Sequence, residues 1–140
     1  MNISPQYLAG FLDGEGCFRA SIRHRRGSIE ASVSIEIAQV NLRILELIRA
    51  DYGGTILRKT NGLNKDAGII HIYRLSWYSL DDIRSLLLLV APYLICKKTQ
   101  AELLLAYTAR HSSASRTRYT AEDWAMLAQI PILNKQQYSV

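Results

Sequence analysis

The 140-residue sequence predicts an α+β fold in which a four-stranded antiparallel sheet is backed by helices. Three observations carry this expectation. Residues 17–25 and 29–37 alternate apolar and polar side chains with a period of two across a short turn, as a hairpin does. A second pair of strand-like stretches follows, separated from the first by a helical segment. Strands that arrive in pairs, rather than alternating singly with helices, build antiparallel sheets. The length fits one domain over 1–140, with a core at about 4–110 and a C-terminal helix and tail over 111–140.

Each element has a local cause. Ser4 is a good N-cap and Pro5 suits a first helical position, so Gln6 to Asp13 reads as a short helix ended by Gly14 and Gly16. In Cys17 to Arg25, Phe18, Ala20 and Ile22 alternate with Arg19, Ser21, Arg23 and Arg25. Arg26-Gly27-Ser28 is the turn. Ile29, Ala31, Val33, Ile35 and Ile37 then alternate with Glu30, Ser32, Ser34 and Glu36. Asn41 caps a helix from Leu42 to Asp51, broken by Gly53-Gly54. Thr55 to Thr60 and Ile69 to Trp77 read as strands joined by a polar loop, Asn61 to Gly68. On the third strand Leu57 is expected inward, with Ile56, Arg58 and Thr60 outward. On the fourth, Tyr73, Leu75 and Trp77 are inward, with Ile72, Arg74 and Ser76 outward. Ser79 and Asp82 form a capping box for a helix from Leu80 to Ala91, which Pro92 ends. A longer helix is expected at about Leu94 to Arg110. His111 to Arg118 is a connector. Thr120 and Asp123 open a last helix through Ile130, before Pro131. The order is α-β-β-α-β-β-α-α-α, without internal repeats.

Composition excludes several classes. Hydrophobic residues are 49% and charged residues 21%, values of an ordinary globular chain rather than a disordered or collagen-like one. The longest apolar run, Leu86 to Ala91, is far short of a membrane span, so no membrane partner is expected. Met1-Asn2-Ile3-Ser4-Pro5 lacks the pattern of a signal peptide, which points to an intracellular place: an organelle (chloroplast or mitochondrion) or a prokaryotic cytoplasm. Cys17 and Cys96 read as free thiols, and His24, His71 and His111 are too scattered for a zinc site. The net charge of +5 suits a polyanionic partner rather than a small molecule.

The segment Tyr7-Leu8-Ala9-Gly10-Phe11-Leu12-Asp13-Gly14-Glu15-Gly16 is unusual. It places two carboxylates at a helix C-terminus, where the helix dipole disfavours negative charge. Its small residues, Ala9, Gly10 and Gly14, allow close approach of another backbone. Two such helices side by side would cluster acids able to hold a hard cation such as Mg²⁺. A C-capped helix with hydrated acids explains the same residues from physics alone.

Leu8-Ala9-Gly10-Phe11-Leu12-Asp13-Gly14-Glu15-Gly16 resembles the signature of the LAGLIDADG homing endonucleases, single-motif type. The element order is similar to that family's αββαββα core with added C-terminal helices. Pro92-Tyr93-Leu94-Ile95-Cys96-Lys97-Lys98-Thr99-Gln100-Ala101 also resembles the family's later helix start. The resemblance implies a site-specific double-strand DNA endonuclease of intron homing, acting at a long pseudo-palindromic site and leaving short 3′ overhangs. An RNA-binding intron maturase is the alternative it leaves open, and a DNA-binding regulator without catalysis is a third.

Site residues are implied by position. Glu15 stands where the family more often has Asp and would be the metal ligand, with the Gly14 backbone carbonyl beside it. Gln39 would organise water near the scissile phosphate, and Lys97, neighboured by Lys98, would stabilise charge. Mg²⁺ would support cleavage, and Ca²⁺ binding without efficient cleavage. A motif present once implies a homodimer, with Leu8, Ala9, Gly10, Leu12 and Asp13 at its interface. The outer sheet face would read double-stranded DNA in the major groove through Arg19, Ser21, Arg23, Arg25, Glu30, Ser32, Ser34, Glu36, Arg58, Thr60, Ile72 and Arg74.

Overall fold

The computed structural model describes residues 2–64, 68–112 and 118–136; the side chains of residues 25, 60–64 and 68–69 are outside that description. Among the described residues, five helices and four strands follow one another as α1 (Pro5–Glu15), β1 (Gly16–Arg25), β2 (Ser28–Gln39), α2 (Leu42–Tyr52), β3 (Thr55–Asn64), β4 (Gly68–Trp77), α3 (Leu80–Val90), α4 (Lys98–Arg110) and α5 (Ala121–Gln136). A 3₁₀ turn, Ala91–Tyr93, follows α3. The strands form one antiparallel sheet in the order β1-β2-β4-β3.

The predicted caps form. Ser4 Oγ accepts from Tyr7 N at 3.1 Å, Asn41 Oδ1 from Ile44 N at 3.2 Å and Ser79 Oγ from Asp82 N at 3.1 Å. Thr120 and Asp123 cap reciprocally: Thr120 N donates to Asp123 Oδ2 at 2.8 Å and Asp123 N to Thr120 Oγ1 at 3.3 Å. At the first hairpin Arg26 and Gly27 take positive φ (48° and 81°), the geometry that joins twisted antiparallel strands through two residues.

Several boundaries differ from expectation. Helix α1 runs through Gly14 to Glu15 and stops at Gly16, whose N–H donates to Leu12 O. A Cβ at Gly16 would stand 2.7 Å from that oxygen, so only glycine fits the exit. Strands β3 and β4 extend into the expected polar loop, with a register irregularity between Thr60 and Leu63. Helix α4 starts at Lys98, not Leu94. Helix α5 continues through Pro131 to Gln136. Proline removes one backbone donor, but packing holds the last turn: Ile130 is buried, and Asn134 Nδ2 donates to the Phe18 carbonyl on edge strand β1 at 2.6 Å. The connector residues 113–117 and loop residues 65–67 lie outside the described residues.

The core lies between the sheet and the helices. It joins Leu8 and Leu12 of α1, Phe18, Ile35, Ile37, Leu75 and Trp77 of the sheet, and Leu45, Ile48, Ile83, Leu87 and Leu104 of the other helices. The N-terminus is pinned to the end of α2: Asp51 Oδ2 accepts from Asn2 N and Ile3 N, both at 2.7 Å, and Tyr52 hydroxyl donates to Ile3 O at 2.6 Å.

The face assignment holds on β1, β2 and β4 and is reversed on β3. Ile56 pairs with the fully buried Leu75, and Arg58 pairs with Tyr73, so Ile56 and Arg58 share the helix-side row. Leu57, 54% exposed, pairs with Arg74, and Lys59 pairs with Ile72, so these lie on the outer face. The adjacent apolar pair Ile56-Leu57 leaves the phase of alternation open in sequence; pairing with β4 sets it.

Candidate functional site

At the C-terminal end of α1 the two acids of the motif diverge. Asp13 is tied to the chain before α4: its Oδ2 accepts from Ile95 N at 2.8 Å and its Oδ1 from Lys97 N at 3.0 Å. Its backbone carbonyl accepts from Lys97 Nζ at 2.7 Å. This clamp replaces the expected first turn of α4 with a bend. Glu15, two residues on, is exposed beside exposed Gly14.

Lys97 is 2% exposed. Burial pulls its pKa below the ordinary lysine value because the charged form is desolvated, and the negative charge of Asp13 opposes that pull. Glu15 acts in the same direction as Asp13, more weakly.

Gln39, half-buried at the end of β2, borders a hollow of about 400 Å³ with Tyr7, Phe11, Asn41 and Arg43. A second hollow, about 500 Å³, runs along α1 past Gln6, Tyr7, Gly10, Phe11, Gly14 and Glu15. Tyr7 and Phe11 stack at 6.0 Å and separate the two. The structure therefore joins Lys97 to Asp13, places Glu15 on the same helix end, and sets Gln39 across the aromatic pair.

The residues expected at a dimer interface are unequally exposed. Leu8, Ala9 and Leu12 are fully buried in the chain's own core. Asp13 is engaged by residues 95–97. The exposed face of α1 is the one carrying Tyr7, Gly10 and Gly14. A Cβ at Gly10 or Gly14 would meet nothing within 4 Å. Glycine inside a helix costs about 0.5–1 kcal/mol relative to alanine, and nothing among the described residues requires it at these two positions.

Among the described residues no group of three or more His, Cys, Asp or Glu could hold a metal ion. The donors at the α1 terminus are hard oxygens, which fit Mg²⁺ in kind. In number they supply one unengaged carboxylate, since Asp13 is committed to backbone amides and Glu15 is the remaining carboxylate of the motif.

The outer sheet face is polar and mostly cationic. Arg19, Ser21, Arg23, Glu30 and Ser32 are exposed, and Ile72 and Arg74 are half-buried. Ser34 and Glu36 lie on this face but are buried, at 8% and 7% exposure. Glu36 Oε2 stands 3.0 Å from Arg19 Nε and 3.8 Å from Arg74 Nε. Residues Pro131 and Asn134 of α5 wall the β1 side of a hollow of about 480 Å³ that includes Arg19, Arg23 and Glu36. Sequence reasoning missed Lys59 and this α5 wall. The side chains of Arg25 and Thr60 are outside the described residues, and Arg58 is placed by its register on the opposite face.

No helix among the described residues is long and apolar enough to cross a membrane. No curated protein matches the chain in sequence. Solved structures do match in fold. I-CvuI in complex with the I-CreI target, with Mg present and the DNA not cleaved, is 23% identical with a TM-score of 0.65, covering 95% of this chain and 78% of that one. I-CvuI with its own target in the presence of Ca is 20% identical at TM-score 0.64, covering 97% and 95%. I-GzeII, a LAGLIDADG homing endonuclease in complex with its DNA target, is 21% identical at TM-score 0.67; this chain, 94% covered, spans 43% of it. A model of the LAGLIDADG endonuclease family matches residues 8–99. The chain belongs to the LAGLIDADG endonuclease family, whose homing endonucleases cleave DNA.

Proposed function

We propose that this chain is a homodimeric, Mg²⁺-dependent endonuclease that cleaves both strands of a long pseudo-palindromic DNA site, leaving short 3′ overhangs, in intron homing. The observation that carries the reading is the state of α1: its free acid, Glu15, sits at the end of an exposed face opened by Gly10 and Gly14. Two copies packed along that face would bring two Glu15 carboxylates together into one metal-binding site. The length of the chain agrees, since it spans 95% of one I-CvuI chain but 43% of I-GzeII.

Each residue then has a task. The outer face of the sheet docks in the major groove, which admits β-ribbons and displays a distinct pattern for each base pair. Glu15, with the Gly14 carbonyl, would hold the metal. When bound, the metal neutralises phosphoryl charge and activates water. Lys97 is held by the Asp13 carbonyl in nearly dry surroundings, where its positive charge is weakly screened and stabilises the charge that develops on the phosphate. Gln39 orients water at the end of β2. An exposed Glu15 favours the nuclease over the maturase, because splicing alone needs no such acid.

The test is selection of randomised duplexes in Ca²⁺, followed by cleavage of a plasmid carrying the selected, intronless site in Mg²⁺. Wild type linearises the plasmid. Glu15→Gln binds the same site, with cleavage reduced by about 10³-fold, the scale for losing one group that stabilises transition-state charge. Equal cleavage by both proteins would contradict the assignment.

A further inference from the structure

We infer that Glu36 is a positioning residue for base readout: it locks Arg19 and Arg74 into one unit across three strands and does not itself read a base. This deepens, and rests on, the DNA-binding reading of the outer face. The register supplies the geometry. Glu36 on β2 faces Cys17 on β1 and Ser76 on β4. Arg19 lies two residues from Cys17, paired with Ser34. Arg74 lies two residues from Ser76, paired with Ala38. The arginines are therefore diagonal neighbours of Glu36 in opposite directions along the sheet. Diagonal neighbours are within reach of long side chains. Both approach the same carboxylate oxygen, at 3.0 Å and 3.8 Å.

Burial separates the partners' roles. The Glu36 side chain is 9% exposed, Arg74 is 27% and Arg19 57%. A carboxylate this enclosed is poorly placed to accept from a cytosine amino group in the groove. Both guanidiniums turn their Nε edge towards Glu36, which leaves terminal N–H groups for an acceptor pair such as guanine O6 and N7. Holding each fork in one orientation before DNA arrives lowers the ordering cost of binding.

Selection on randomised duplexes with Glu36→Gln and Glu36→Ala tests the assignment, beside Arg19→Ala, Arg74→Ala and the double variants. Both Glu36 variants are expected to lose about tenfold of discrimination at the two base pairs that the arginine variants affect, in each half-site. Affinity for unrelated duplex stays equal or rises, because a negative charge is lost. Adding Arg19→Ala to Glu36→Ala changes its base pair little further. A third base pair altered by Glu36→Gln alone, or strictly additive losses, would overturn the proposal. A uniform loss across all sequences that tracks a fall in Tm would mark Glu36 as merely structural and overturn it too. In the free protein, the Nε–H of Arg19 should exchange slowly with solvent and quicken in Glu36→Gln. Fast exchange in wild type would overturn the lock. If wild type shows no sequence preference, the DNA reading of this face fails, and the exchange measurement alone decides whether the arginines are locked.

Discussion

Both ends of helix α4 bury an ionisable group, and they do so in opposite ways. Before its first turn, Lys97 is desolvated against a single backbone carbonyl and the Asp13 carboxylate tied to the same bend. After its last turn, Asp123 is fully buried but surrounded by donors: Thr120 N at 2.8 Å, Thr120 Oγ1 at 3.1 Å, His111 Nε2 at 3.1 Å and Arg110 Nε at 3.2 Å. Burial alone would raise the carboxyl pKa. The hydrogen bonds from Thr120 and His111 outweigh it and hold the group below the usual carboxylate range. Aromatic rings close the cluster, with Tyr119 stacked between His111 at 4.5 Å and Trp124 at 4.6 Å. The C-terminal end gives Asp123 Oδ2 both Thr120 donors, leaves Oδ1 to the Arg110 ion pair without a hydrogen bond among the described residues, and anchors α5 on α4. The N-terminal end leaves a cation under-compensated next to the motif acids. The difference fits a stabilising role for the Asp123 end and the chemical role proposed above for the Lys97 end.

The largest effect expected from breaking this contrast is at Asp123. Asp123→Ala leaves Arg110, His111 and the Thr120 amide without their shared partner. It should lower the unfolding free energy by about 3–5 kcal/mol, the usual cost of removing one member of a buried charged cluster. Denaturant unfolding measures it. Cleavage per folded molecule should not change. The same group fixes a pH dependence. Its folded pKa lies below its unfolded value, so its stabilisation is full above about pH 4 and fades as pH falls through the folded pKa. Asp123→Asn should flatten that acid limb in unfolding curves taken across pH.

At the other end, Lys97→Ala should slow cleavage by about 10²-fold with a smaller effect on DNA binding, the scale for loss of one positioned charge. Single-turnover cleavage beside binding in Ca²⁺ separates the two. If Lys98→Ala alone has that effect, the exposed lysine is the active one and the contrast between the two ends fails. The smallest effect is at Gly10. Gly10→Ala adds a methyl group into open space and should leave the protomer equally stable or stabilise it by up to about 1 kcal/mol. The larger Gly10→Phe should keep the fold and abolish cleavage if that face packs against a second copy.

These features were unequally legible in the sequence. The alternation from Ile29 to Ile37 gave β2 and its faces, and Asn41 and Ser79 marked helix starts, because those signals are local. Leu94-Ile95-Cys96 resembles a helix start by composition, yet Asp13, more than 80 residues earlier, takes its amides and delays α4. The extent of α5 past Pro131 likewise depends on Asn134 meeting the edge of β1. In α1 the residues expected at a dimer interface divide between two faces. Leu8, Ala9 and Leu12 follow the core-facing helical spacing, and Gly10 and Gly14 the opposite one. The Arg19–Glu36–Arg74 unit depends on strand register, which a single strand's pattern does not contain.

In the proposed reading, the acid site is made by two chains meeting along the Gly10–Gly14 face of α1. Sedimentation of the protein on its selected duplex in Ca²⁺, at micromolar concentration, measures it most directly. Two chains per duplex are expected for wild type, and Gly10→Phe should fail to place two on the same DNA. One wild-type chain bound per duplex would contradict it.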